Sequence, residues 1–234
     1  MGRLLYALSC GLFRHACRSC LDTRYITPHF MHECGACLLA VTHLSHLEPP
    51  LISAAVRQPV HWLTRGEFYR SPIAAAFFRS HLTIPVDRFR ASPSTFHRAI
   101  ATIRRGGTVG ILPEGGVAAG EASCLVGGPI KGGAALIALR SGVPIVPVAV
   151  YGADQLNCVR AWIPFGRKSP LVIAAGPPIA PPAPAPPRGE RRAARHALTN
   201  RLAEAFTDLH ARVRAAGVLD PVHERALPPR FCHV

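Results

Sequence analysis

The stretch CLLAVTHLSHLEPPLISAAVRQ, residues 37–58, changes character twice within twenty-two positions. Cys37 to Thr42 is a short apolar run, the pattern of a strand buried on both faces. A polar cluster follows, with His43, His46 and Glu48 in quick succession. Pro49 and Pro50 then open an apolar segment that reads as a helix, because proline is tolerated in a first turn whose N–H groups have no helical partner. Glu48 falls near the N-cap of that helix. A buried strand, a polar loop and a helix in this order form one unit of an α/β fold.

The same alternation continues downstream to about residue 180. VHWLTRGEFYR reads as strand and loop, SPIAAAFFRSH as a short helix, and LTIPVDR as a strand ending in charge. SPSTFHRAIATIRRGG has a hydroxyl residue at its start and Gly-Gly at its stop, so it predicts a helix with both ends marked. TVGILPEGG is a buried strand running into a glycine turn, and PIKGGAALIALRSG a helix closed by Gly142. In VPIVPVAVYG the two prolines predict a strand at a sheet margin or an irregular stretch. PLVIAAGPPI is the last strand. A proline-rich connector then leads to Ala194, Leu198, Leu202, Ala205, Leu209 and Val213, whose spacing predicts a helix returning to the core. The expected architecture is a single α/β domain over residues 23–216 with a mixed, mostly parallel central sheet flanked by helices. Residues 217–234 read as a C-terminal tail.

Upstream, residues 1–22 predict an N-terminal amphipathic helix with Leu4, Leu5, Leu8, Leu12 and Phe13 on roughly one side. Its apolar run is short, and Arg14, His15 and Arg18 stand where an export signal would carry small residues. No run of about 18 apolar residues exists to cross a bilayer. The net charge is +14, and of the 27 basic residues only Lys131 and Lys168 are lysine. Arginine pairs with phosphate through two parallel hydrogen bonds, so this balance points to an anionic partner. Cys17-x-x-Cys20 and Cys34-x-x-Cys37 have zinc-like spacing. Against that reading, the first pair lies on a helical stretch and Cys37 reads as a small core residue, so no metal is expected. The remaining cysteines show no disulfide framework, which fits a reducing compartment.

Polar groups stand at the C-terminal ends of three apolar strands: His43 with Glu48, Asp87-Arg88, and Glu114-Gly115-Gly116. Ligands of α/β sheets gather at such ends. Five residues on a regular helix would point His43 and Glu48 in different directions. A loop turning into the helix at Pro49 can fold the imidazole back toward the carboxylate, fixing its tautomer and leaving the other ring nitrogen as a general base. His46 could join them around a metal, but no further ligand is evident.

THLSHLEPP, IPVDR, ILPEGG and VPIVPVAV, in this order, resemble the glycerophospholipid acyltransferase family over residues from about 27 to about 215. Its first motif is a histidine, four residues and an acid, here His43 and Glu48, with glutamate where most members have aspartate. Thr42 stands where asparagine is usual. Ile84-Pro85-Val86-Asp87-Arg88 matches the second motif and Val143 to Val148 the fourth. Only Pro113-Glu114-Gly115 of the third is kept, with Gly116 and Val117 replacing a threonine and an arginine. The resemblance implies transfer of a fatty acyl group from acyl-CoA or acyl-carrier protein, as co-substrate and not resident cofactor, to the hydroxyl of a lyso-glycerophospholipid of the lysophosphatidate type. His43 is then the base and Glu48 its support. Arg88, Glu114, Gly115 and Lys131 are then expected to line the acceptor and phosphate site, with Arg90 and Arg167 as candidate substitutes for the missing arginine, and Pro144 to lie on the acyl-donor side. A substrate dissolved in lipid places the protein on the cytoplasmic face of a membrane, peripheral or monotopic, against an anionic surface.

The altered third motif leaves room for another acceptor, such as lipid A or a different lyso-lipid. The rival of another class is a non-catalytic basic protein binding membrane or nucleic acid. No helix-turn-helix, zinc-finger or single-strand-binding pattern supports a nucleic-acid partner, and none is expected.

Overall fold

Every residue of the strand Leu38–Val41 (β2) is buried, because the sheet it belongs to is covered on both faces. Leu38 and Ala40 face one core, Leu39 and Val41 the other. That two-sided burial is the physical reason for the continuous apolar run. The computed structural model describes residues 2–86, 93–163, 168–183 and 186–219.

Among the described residues seven strands form the sheet: Leu21–Ile26 (β1), β2, Val60–Arg65 (β3), Ile84–Val86 (β4), Thr108–Ile111 (β5), Ile145–Tyr151 (β6) and Ser169–Ala175 (β7). Their order is β1-β7-β6-β2-β5-β3-β4. All neighbours pair in parallel except β6 with β7, so five parallel strands are joined to a pair running the other way. The sheet is therefore mixed and mostly parallel. The helices Pro93–Arg104 (α5), Gly133–Ser141 (α6) and Arg191–Ala215 (α7) supply core residues on one face, including Ile103, Ile137 and Phe206. Gly2–Cys20 (α1) and Glu48–Ala55 (α3) cover the other. The short helices His29–His32 (α2) and Pro72–Ser80 (α4) are the other α-helices among the described residues.

The expectation of a marginal strand at VPIVPVAVYG is corrected. β6 lies between β7 and β2 and is buried at all seven positions. Pro147 is tolerated because its missing N–H faces a gap in the pairing. Ile145 bridges to Ile179, the β6–β7 ladder begins at Val148, and between them the Gly176 N–H donates to the Pro147 carbonyl at 2.8 Å. Gly176 is required there, since a Cβ would come within 2.8 Å of Pro147 Cγ.

Two further expectations change near the N-terminus. Residues 21–26 form β1, a parallel partner of β7 along its whole length. Its charged Asp22 and Arg24 hid it from pattern reading, and they are compatible with pairing because β1 is an edge strand. Phe13 does not share the leucine side of α1. It lies about a third of a turn from the middle of that side, its ring 5.4 Å from that of Trp162, while Leu4, Leu5, Leu8 and Leu12 stay exposed. The inner side of α1 is fixed by specific bonds: Tyr6 Oη accepts the Val60 N–H at 3.2 Å, and Arg14 Nε donates to the Ala54 carbonyl at 2.7 Å. Cys34 and Cys37, the second pair with zinc-like spacing, are joined in a disulfide. Of the tail, residues 220–234 lie outside the described residues.

Candidate active site

Thr42 continues β2 toward β6. Its N–H donates to the Val148 carbonyl, and its Oγ1 accepts the Val150 N–H at 3.0 Å. The chain then leaves the sheet at His43, on the edge where β2, β5, β3 and β4 all end. Five residues later it enters α3 at Glu48, and Pro49 and Pro50 there remove two N–H groups that the first turn could not pair.

Glu48 is the first residue of α3 and is completely buried. Its Oε1 accepts the N–H groups of Leu44, at 2.9 Å, and of Ser45. Its Oε2 lies 3.4 Å from His43 Nδ1, and the His43 side chain is itself only 8% exposed. Ser45 Oγ accepts the Leu47 N–H at 2.9 Å, closing the loop a second time. The carboxylate thus organises the loop that carries the histidine and also meets its ring. A carboxylate at Nδ1 favours the tautomer with its proton there, which leaves Nε2 with the lone pair.

His43 is held by its backbone as well. Its N–H donates to Glu114 Oε2 at 2.5 Å, and its carbonyl accepts the Ala118 N–H at 2.8 Å. The other oxygen of Glu114 accepts the Cys124 N–H at 2.9 Å and the Ser123 hydroxyl at 3.4 Å. Burial pushes the Glu114 carboxyl above its usual range, opposed by the N–H groups of Cys124 and His43. Glu114 is therefore a clamp between the histidine loop and residues 118–124, a role that its place in a strand-end motif did not reveal.

Gly115 turns the chain at φ +73°, and the Lys131 side chain lies directly over it: a Cβ there would come within 2.5 Å of Lys131 Nζ. The Lys131 N–H donates to the Pro113 carbonyl at 2.8 Å, so this lysine sits beside the strand-end motif. Pro144 stands apart. It precedes Ile145 at the start of β6, level with Leu38 at the opposite end of the sheet, about 16 Å from His43 along the strand. Arg88, with Asp87 and Arg90, and Arg167 lie outside the described residues.

Two groups at the site were not singled out from the sequence. Arg65 ends β3 on the same sheet edge, and its charge reaches His46. Burial, then His43, then Arg65 lower the His46 pKa, and the two histidine rings meet edge-on with centroids 5.6 Å apart. The signal for Arg65 was present in the sequence, since it follows an apolar strand as Arg88 does. Cys124 is the second: burial and the Glu114 charge push its thiol far up, so it stays protonated and is no nucleophile. Among the described residues, no three His, Cys, Asp or Glu side chains gather as metal ligands.

A family model described as acyltransferase matches residues 23–151. The 1-acyl-sn-glycerol-3-phosphate acyltransferase of Bacillus subtilis (strain 168) is 25% identical over 119 residues, covering 50% of this chain and 57% of that protein. The chain thus spans little more than half the length of that relative. The crystal structure of PlsC, the 1-acyl-sn-glycerophosphate (LPA) acyltransferase from Thermotoga maritima, is similar with a TM-score of 0.57. That similarity covers 87% of this chain and 80% of the other at 18% identity, and it shows a shared fold.

Proposed function

Since the chain belongs to the acyltransferase family, we propose that it transfers a fatty acyl group from acyl-CoA or acyl-carrier protein to the free hydroxyl of a lysophosphatidate-like lyso-glycerophospholipid. The observation that carries this reading is the buried His43–Glu48 pair at the sheet edge. His43 Nε2 takes the acceptor's hydroxyl proton as that oxygen attacks the thioester carbonyl. The tetrahedral adduct collapses with cleavage of the C–S bond, and the departing sulfur receives the proton from the imidazolium. Glu48 stabilises that imidazolium and holds the tautomer. An ester and a free thiol result, with no acyl-enzyme.

The acceptor's phosphate calls for cations near this edge. Lys131 over Gly115 and Arg65 at the end of β3 supply two, and Arg88 is proposed as a third. They offset the arginine that Val117 replaces. The acyltransferase names of the Bacillus subtilis and Thermotoga maritima proteins agree with a lysophosphatidate acceptor. Gly116 and Val117 favour a second reading, in which the acceptor is a different lyso-lipid.

No described helix is long and apolar enough to cross a membrane. Leu4, Leu8 and Leu12 of α1 are 61–74% exposed, and Ile73 and Phe77 of α4 are 84% and 55% exposed. The two helices touch where the Tyr6 ring meets His81, beside Phe77. This apolar surface and the +14 charge support peripheral attachment to an anionic bilayer. Purified protein on lipid vesicles, given each donor and a panel of lyso-lipids, tests the reading by mass spectrometry. Product from native protein that vanishes in His43→Ala is the expected result. Equal product from both would remove His43 from the mechanism. Salt-dependent retention on nucleic acid with no transfer to any acceptor would favour the non-catalytic basic protein.

A further inference from the structure

A cavity of about 740 Å³ opens between α1, β1 and the C-terminal end of α3, and neither His43 nor Glu48 lines it. The size suits a ligand head group with part of a chain. Its apolar lining comes from Leu21, Leu51, Leu171 and Ile173. Against these stand four cationic or cation-forming groups: Arg14 and Arg18 from α1, Arg57 just beyond α3, and His32 from α2. Asp22 is the lone acid in the lining.

The charges share one space. Arg14 is anchored at the wall by its bonds to the Ala54 and Val56 carbonyls, at 2.7 and 3.4 Å. These carbonyls close α3, so the guanidinium caps a helix end while remaining at the cavity. Burial and then the Arg57 charge lower the His32 pKa, and His32 Nδ1 is buried with no hydrogen-bond partner among the described residues. Tyr25 in the same lining feels both Arg18 and Arg14. Three guanidinium groups around an apolar floor match a phosphate joined to hydrocarbon.

We propose that this cavity is a second lipid site, which binds the phosphate-bearing head group of an anionic phospholipid and lays the first part of its chain on Leu51, Leu171 and Ile173. A bilayer lipid is the fitting source because α1 carries Arg14 and Arg18 into the cavity and its leucines outward. The inference rests on the bilayer contact of α1 proposed above, not on acyl transfer.

The test titrates the full chain with dioctanoyl phosphatidylglycerol below its micelle concentration, with binding read by calorimetry. The same titration is run with dioctanoyl phosphatidylcholine and with inorganic phosphate. The expected result is saturable binding of phosphatidylglycerol, at least tenfold tighter than either control. Arg18→Glu/Arg57→Glu loses it, Arg18→Lys/Arg57→Lys keeps most of it, and circular dichroism shows both folded. His43→Ala binds as the native chain does, and saturating lysophosphatidate does not displace the lipid. Displacement by lysophosphatidate, equal binding of phosphatidylcholine, saturation by phosphate alone, or an unchanged affinity in the glutamate pair would each overturn the proposal. Because the probe is soluble, its binding is read apart from vesicle attachment and from transfer, so failure of either leaves this result interpretable.

Discussion

The backbone N–H of His43 donates to Glu114 Oε2 at 2.5 Å, across a separation of 71 residues. One carboxylate holds the histidine ring and another holds the histidine backbone. The first opens α3, directly after the histidine's own loop, and the second lies just beyond the neighbouring strand β5. A shift in either carboxylate would move Nε2, so two acids from different parts of the chain position one ring.

Glu114→Gln separates position from charge. An amide accepts through one atom only, so its NH₂ must face a backbone donor, either His43 or Cys124. The expected cost is about 1–3 kcal/mol of stability for the unsatisfied donor. Transfer falls roughly ten- to a hundredfold in kcat with KM little changed, as displacement of a positioned base does. Urea unfolding and steady-state rates measured together check this. A variant with native kcat and lowered stability would confine Glu114 to the fold.

The same residue sets a pH dependence. Burial raises the Glu114 pKa in the folded chain above its unfolded value. The folded state then binds that proton more tightly than the unfolded one. Stability from this source is fully present below the unfolded pKa and declines as pH rises through the folded pKa. Glu114→Gln cannot ionise, so its stability should decline less as pH rises from the ordinary carboxylate range toward neutrality and above. Urea midpoints at steps across that window check the sign. Parallel curves for the two proteins would contradict it.

Glu48 is the more demanding position, because it accepts two loop N–H groups besides meeting His43. Glu48→Gln keeps the shape and removes the charge that stabilises an imidazolium, so kcat falls by roughly a hundredfold or more. Glu48→Asp keeps the charge but is one methylene short in a buried site. It retains more activity than Glu48→Gln if the charge matters most, and less if loop geometry does. The ranking expected here is Asp above Gln. Rates at fixed acceptor, with circular dichroism to confirm folding, decide it.

The elements most legible in sequence were those whose local signals agree with their surroundings. β2, α3, α5 and α6 carry buried runs, prolines at a first turn, or a glycine stop, and each forms about where those signals lie. Misreadings arose where a distant partner sets the rule. Pro147 looks like a margin residue until Gly176 is seen opposite it, and Asp22 and Arg24 give no strand signal until β7 is seen beside them. The site divides in the same way. His43 and Glu48 are five residues apart and joined by a proline-led turn, so their meeting could be argued from the chain. The Glu114 clamp depends on strand order, and Pro144 lies far from His43 because parallel strands start where their neighbours' sites do not.

Gly110 tests how tightly β5 is packed under the site. A Cβ there would come within 2.5 Å of the Trp62 ring, whose Nε1–H is bonded to Ser53 Oγ on α3 at 2.9 Å. The indole is thus held by a bond and cannot yield freely. Gly110→Ala should cost about 1–3 kcal/mol by overpacking. Trp62→Leu in the same chain should recover part of that loss, because the clashing ring is gone. Chemical unfolding of the single and double variants measures the coupling. Additive losses would mean that Trp62 moves aside without penalty.

The exposed leucines of α1 separate attachment from catalysis. Leu8 and Leu12 are 61% and 74% exposed, so Leu8→Asp/Leu12→Asp removes little from the core. Each leucine buried in a bilayer interface is worth up to about 1.5–3 kcal/mol, and the introduced carboxylates are repelled by an anionic surface. Together these effects predict vesicle affinity weaker by roughly a hundredfold or more. Flotation with phosphatidylglycerol-containing vesicles reads that loss directly, and raised salt should weaken native binding only in part because the apolar contribution is unscreened. Transfer to a detergent-dispersed acceptor should stay near native while transfer on vesicles drops. Equal losses in both assays would show that the leucine face supports the fold instead of the membrane contact.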